Sequence, residues 1–110
     1  MTRKKIETSS GNVFSDLGLP DAENQHLKAR LVAELYRLAT ERELTQTAIG
    51  KIMGISQPEV SRLFKGHFRE YSVERLIGFV TKFDRDVEIL IRPAARRGKQ
   101  GEIIVRPEAA

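Results

Sequence analysis

At 110 residues, with 40% hydrophobic and 31% charged side chains, the chain holds enough material for one domain and one core but not two. It contains no Cys, which excludes disulfides and thiolate metal sites. No apolar run approaches the roughly 20 residues of a membrane span, and the polar start over residues 1–10 is unlike a signal peptide, so a cytoplasmic, reducing location is expected. The net charge of +4 suits a polyanionic partner. Acidic residues are spread through the chain, however, so composition alone does not choose that partner.

Residues 1–12 are polar, end in a Ser-Ser-Gly-Asn breaker, and read as a flexible arm. Val13, Phe14 and Leu17 form a short apolar patch before Gly18 and Pro20. Leu27, Leu31, Leu35 and Leu38, with Ala39 beside them, then step by four, four and three. That step is one helical stripe, and it predicts a helix over 21–42 with Lys28, Arg30, Glu34, Arg37 and Glu41 mostly off the stripe.

Three short helices are predicted next, at 45–53, 56–65 and 72–83. Thr45, Ser56 and Ser72 each supply a hydroxyl suited to capping an early, unpaired N–H. The apolar pairs Leu44 and Ile49, Ile55 and Val60, and Tyr71 and Leu76 flank these caps as hydrophobic staples. Glu59, three residues after Ser56, completes a capping box. Gly54 and Gly66 follow the apolar ends of two of these helices, where a left-handed residue is wanted.

Beyond Phe83 the pattern changes. Val87, Ile89 and Ile91 alternate within 86–92 and predict a strand that Pro93 stops. A basic loop of small residues follows, and 102–106 reads as a second, weaker strand. The expected organisation is an arm at 1–12, a helical domain at 13–84, and a C-terminal β element and tail at 85–110.

Residues 46–65 meet the demands of a helix-turn-helix. Such a motif needs a small residue where the two helices cross, a Gly that takes positive φ in the turn, and apolar residues that lock the angle. Gly50 fills the first role and Gly54 the second. Ile49, Met53, Ile55, Val60 and Leu63 form the lock.

The segment LTQTAIGKIMGISQPEVSRLFKG resembles the DNA-binding core of the phage repressor and Cro family, the XRE-type regulators. Gly11–Glu23 and Asp86–Pro93 further resemble segments of HigA-like antitoxins of type II toxin-antitoxin systems. The resemblance implies a mostly α fold, a phage-repressor-like helical bundle, here with a short C-terminal β element. It also implies a recognition helix at 56–65 in the major groove, with the helix at 45–53 crossing the backbone above it.

Carried over by position, the resemblance puts Thr45, Gln46, Ser56, Gln57, Pro58, Ser61, Arg62, Lys65 and Arg69 at the DNA. Gln46 would donate to a phosphate, and Gln57 would pair with adenine N6 and N7. The Pro58 ring would meet a thymine methyl, and Arg62, one turn on beside Ser61, would fork onto guanine O6 and N7. Lys65 and Arg69 suit phosphates. The chain departs from the common pattern at Pro58, where a polar reader often stands.

Other charged residues have plainer roles. Glu59 is favoured as a cap partner over a base reader. His26 and His67 lack companions at ligand spacing and read as surface histidines. Arg3, Lys4 and Lys5 suit a solubilising tail or a minor-groove contact. Arg96, Arg97 and Lys99 suit a solvated hairpin loop or a phosphate contact. No nucleophile-base set, metal cluster or phosphate loop is present, so neither an enzyme nor a cofactor is expected.

One such module reaches only a half-site, so the family pairs two copies on a palindromic operator of double-stranded DNA. The apolar strand residues Val87, Ile89, Leu90 and Ile91 are the expected dimer element, because an exposed strand edge needs a partner. By resemblance the protein is expected to autoregulate its operon and neutralise a RelE/HigB-type toxin. The alternative is a stand-alone XRE-type regulator.

Overall fold

In the computed structural model, which describes residues 20–96 and 98–108, the leucine stripe becomes the inner face of helix α1 (Asp21–Glu41). Leu27, Leu31, Leu35, Leu38 and Ala39 are all buried, as expected. The buried face is wider than that stripe, because Val32 and Lys28, one turn apart, are buried too. Lys28, expected near the solvent side, is only 5% exposed. Asp21 and Glu23 in the first turn face the positive end of the helix dipole.

Helices α2 (Gln46–Met53), α3 (Gln57–Phe64) and α4 (Val73–Thr81) follow. Each begins one residue after its predicted cap. Thr45, Ser56 and Ser72 stand in extended conformation, and their side-chain oxygens accept from the backbone N–H of Ala48, Glu59 and Arg75. The three staples are in place: Ile49, Val60 and Leu76 are buried, and Leu44, Ile55 and Tyr71 pack against the same core.

α1 lies against α3 and α4, while α2 lies against α3. The core between them is closed by Met53, Leu63, Val73, Phe79, Val80 and Phe83. Burying one such large apolar side chain contributes about 1.5–3 kcal/mol, so this core, not helix propensity, holds the short helices. No helix among the described residues is long and apolar enough to cross a membrane.

The predicted strands are not formed: among the described residues neither 86–92 nor 102–106 is a strand. Alternation supplies a face, but a strand also needs a ladder partner for its N–H and C=O groups, and the two segments do not pair. The second one lies on the helices instead. Val105 packs against the core, the Arg30 guanidinium donates to the Val105 carbonyl at 3.3 Å, and Arg85 donates to the Glu108 carbonyl at 2.9 Å. Val87, Ile89, Leu90 and Ile91 stay exposed. The expected hairpin around Arg96 and Lys99 is therefore absent as well. Arg97, the arm with Arg3, Lys4 and Lys5, and the patch at Val13, Phe14 and Leu17 lie outside the described residues.

Candidate nucleic-acid interface

The corner between α2 and α3 is set by backbone contact. A Cβ on Gly50 would stand 2.5 Å from the Ile55 carbonyl oxygen, closer than real Cβ atoms come, and 3.5 Å from a Val60 methyl. The Gly50 carbonyl also accepts both turn amides, from Gly54 at 2.7 Å and Ile55 at 3.0 Å. Gly54 ends α2 with φ of 80°, the left-handed conformation that glycine adopts without strain. Only glycine fits at the first position, and it is favoured at the second.

α3 starts from a complete capping box. The Ser56 N–H donates to Glu59 Oε1 at 3.0 Å, and the Glu59 N–H donates to Ser56 Oγ at 3.3 Å. The bond from the Ser56 backbone, then that from its hydroxyl, hold the Glu59 carboxyl below its ordinary value. Pro58 occupies the first turn, where its missing N–H leaves no intrahelical bond unmade.

These caps aim one face outward. Gln46, Gln57, Pro58, Arg62 and Lys65 are exposed, and Ser61 is half-buried. The first residues of the two helices are joined, since Gln57 Nε2 donates to Gln46 Oε1 at 2.6 Å. That bond spends one N–H of Gln57 and leaves its Oε1 and second N–H to present outward. The Gln46 amide nitrogen is left free to donate. The hydroxyls of Thr45 and Ser56 lie at the same corner, engaged in their caps. Ser56 Oγ also donates to Glu59 Oε1 at 3.2 Å.

Arg69 stands apart from this face, in the loop after α3. Its guanidinium donates to Asp21 Oδ2 at 2.9 Å, and its carbonyl accepts from Lys28 Nζ at 2.9 Å. Beside α3, an open hollow of about 410 Å³ is lined by Glu59, Arg62, His67, Arg69, Glu70, Tyr71 and Arg75. Arg75 lies over the Tyr71 and Phe79 rings at 5.0 and 5.4 Å, which fixes its guanidinium at the hollow's edge. Burial raises the pKa of the Tyr71 hydroxyl above its ordinary value.

Sequence reasoning missed Arg75 and Tyr71 as parts of this surface, although Arg75 and Phe79 share one side of α4 at four-residue spacing and Tyr71 stands just before its cap. The candidate interface therefore combines the exposed carboxamides of Gln46 and Gln57 with Arg62 and Lys65, and Arg69 and Arg75 border the hollow beside it.

The chain matches the helix-turn-helix domain family over residues 13–92. Comparison with curated proteins gives no match. A solved structure described as an XRE-family transcriptional regulator is 37% identical, with a TM-score of 0.75, over 81% of this chain and 100% of that one. The glycine-set corner, the capped second helix and a relative aligned over its whole length agree: this chain belongs to the helix-turn-helix domain family, among the XRE-type transcriptional regulators.

Proposed function

We propose that the protein binds a palindromic operator as a homodimer, with α3 of each copy in the major groove, and represses transcription there. The observation that carries this reading is the Gln46–Gln57 bond at the mouth of the helix-turn-helix. It leaves one edge of the Gln57 carboxamide and the Gln46 amide donor exposed, suited to a base and to the DNA backbone, with Arg62 exposed on α3 and Lys65 exposed at its C-terminal cap. Gln57 suits adenine and Arg62 suits guanine, while Gln46 and Lys65 suit phosphates. Arg69 suits a phosphate bordering the groove. Selection of a duplex from a randomised pool, followed by competition with mutated half-sites, tests this. Recovery of no two-fold-related sequence refutes it.

The finer reading is an antitoxin that autoregulates its operon and neutralises a RelE/HigB-type toxin. It is supported by the resemblance of Gly11–Glu23 and Asp86–Pro93 and by the exposed apolar residues Ile89, Leu90 and Ile91, a surface suited to a second chain. Co-expression with the adjacent gene separates it from a stand-alone regulator. A toxic neighbour that co-purifies supports the antitoxin, and a neighbour that is neither toxic nor bound leaves the stand-alone regulator.

A further inference from the structure

Two residues of α1 hold one residue of the loop that leaves α3. Lys28 is the single buried charged side chain among the described residues, at 5% exposure. Its ammonium donates to the Arg69 carbonyl across 41 residues of sequence. Asp21, two turns earlier on the helix, takes the Arg69 guanidinium across 48 residues. The backbone and the side chain of Arg69 are thus held by the same helix.

The two contacts differ in kind. A buried ammonium is costly to desolvate, and a methionine would fill the same space without that penalty. Desolvation, and then the nearby Arg69 guanidinium, lower the Lys28 pKa, while the Asp21 carboxylate pulls the other way. What the charge supplies is a fixed position for the loop backbone. The Asp21–Arg69 pair is open to solvent, with side chains 67% and 68% exposed. Such a pair is weak and is readily exchanged for another anion. Arg69 also borders the hollow that Arg62 lines, and two guanidiniums beside α3 suit a backbone phosphate.

We infer that Lys28 and Asp21 are positioning residues for DNA contact: Lys28 pins the loop at Arg69, and the Asp21 carboxylate occupies its guanidinium until a DNA phosphate displaces it. Asp21 is then a built-in competitor that lowers affinity for every sequence alike. The inference rests on the DNA-binding reading above and adds a sign that reading lacks, namely that removing an acidic side chain on α1 tightens binding through one arginine.

The test titrates wild type, Asp21→Asn, Arg69→Ala and the double variant with a mixed-sequence DNA duplex over a range of salt. Non-specific binding reports phosphate contacts, so no operator is needed. Asp21→Asn is expected to bind roughly two- to fivefold tighter. Glu23→Gln, which removes the same charge two residues away, should change binding far less. Arg69→Ala should weaken binding and flatten the log–log salt dependence by about 0.9, the share of one phosphate contact. In that background the gain from Asp21→Asn should vanish.

A gain that survives Arg69→Ala, or that Glu23→Gln reproduces, reduces Asp21 to net charge and overturns the inference. A loss of affinity in Asp21→Asn overturns it too. Lys28→Met keeps the apolar stem, so it should weaken binding without lowering the melting temperature; wild-type affinity in this variant removes Lys28 from the account. If wild type itself shows no salt-dependent binding, the DNA reading fails first and the inference falls with it.

Discussion

Gln46 and Gln57, eleven residues apart, are joined at 2.6 Å, and the bond ties the first residue of α2 to the first residue of α3. It fixes which edge of each carboxamide faces outward. Gln46→Ala should therefore act twice, removing a phosphate donor and releasing Gln57 from its orientation. One lost hydrogen bond is worth about 0.5–1.5 kcal/mol, so affinity for a selected operator should fall several-fold. Discrimination at the base pair facing Gln57 should fall as well. Equal losses on operator and mutated duplexes would make Gln46 a backbone contact alone.

Arg62 on α3 and Lys65 at its C-terminal cap are both exposed, but they are expected to do different work. Arg62→Ala should cost about 1–3 kcal/mol on the preferred base pair and relax specificity there. Lys65→Ala should weaken all sequences alike and shallow the salt slope by about one contact. Competition binding with single-base operator variants distinguishes the two. A uniform loss in Arg62→Ala moves that residue to the phosphates.

Gly50 gives a sharp stability test, because the obstacle is backbone. The Cβ of alanine would press on the Ile55 carbonyl at 2.5 Å, and that carbonyl belongs to the turn itself. Gly50→Ala should destabilise by about 1–3 kcal/mol, a fall of several degrees in melting temperature for a domain of this size. Gly66→Ala is a useful contrast, since nothing lies near its Cβ and only its positive φ of 102° opposes the change. Equal stability of Gly50→Ala and wild type would show that the corner is not set by this contact.

The cap of α3 makes a pH prediction. The folded-state pKa of Glu59 is held below its ordinary value by the bonds from Ser56. A depressed carboxyl contributes stability above the ordinary carboxylate value and loses it as pH falls through the lower folded value. The melting temperature should therefore decline with acidification in that window. In Glu59→Gln, which can accept the Ser56 N–H without titrating, this part of the decline should be missing. Identical acid profiles for the two proteins would mean that the box does not titrate with folding.

The helices were legible because their starts carry local chemistry. Ser56 and Glu59 specify a box within four residues, and Ile55 and Val60 staple it, so no distant partner is needed. Gly50 and Gly54 were legible for the same reason. Lys28 was not, because its burial depends on where the loop at Arg69 returns, 41 residues later. The bond between Gln46 and Gln57 is likewise hidden in the sequence, although the resemblance assigns each residue to the DNA face. The alternation of Val87, Ile89 and Ile91 was misleading in another way. It describes one face of a strand, whereas the ladder depends on a second strand that a single chain need not supply.

That missing ladder gives the last prediction. Ile89, Leu90 and Ile91 are 70%, 76% and 89% exposed, an apolar run that joins no strand among the described residues. Such an edge is a hazard for a free monomer. The neighbouring segment does not cover it, because Val105 is packed against the helical core and Arg30 holds its carbonyl. Pairing of residues 86–92 with the same residues of a second copy would satisfy the edge amides and bury both apolar faces in one step. It would also set the distance between the two α3 helices, as a palindromic operator requires. Ile89→Asp places a charge in that seam, so light scattering should find monomers where the proposed homodimer is expected of wild type. Binding to a full operator should weaken while binding to an isolated half-site stays the same. The helical core does not include Ile89, so the melting curve should keep its cooperative form. If Ile89→Asp remains a dimer with wild-type operator affinity, the two copies meet through their helices, and the exposed run is left for a different chain.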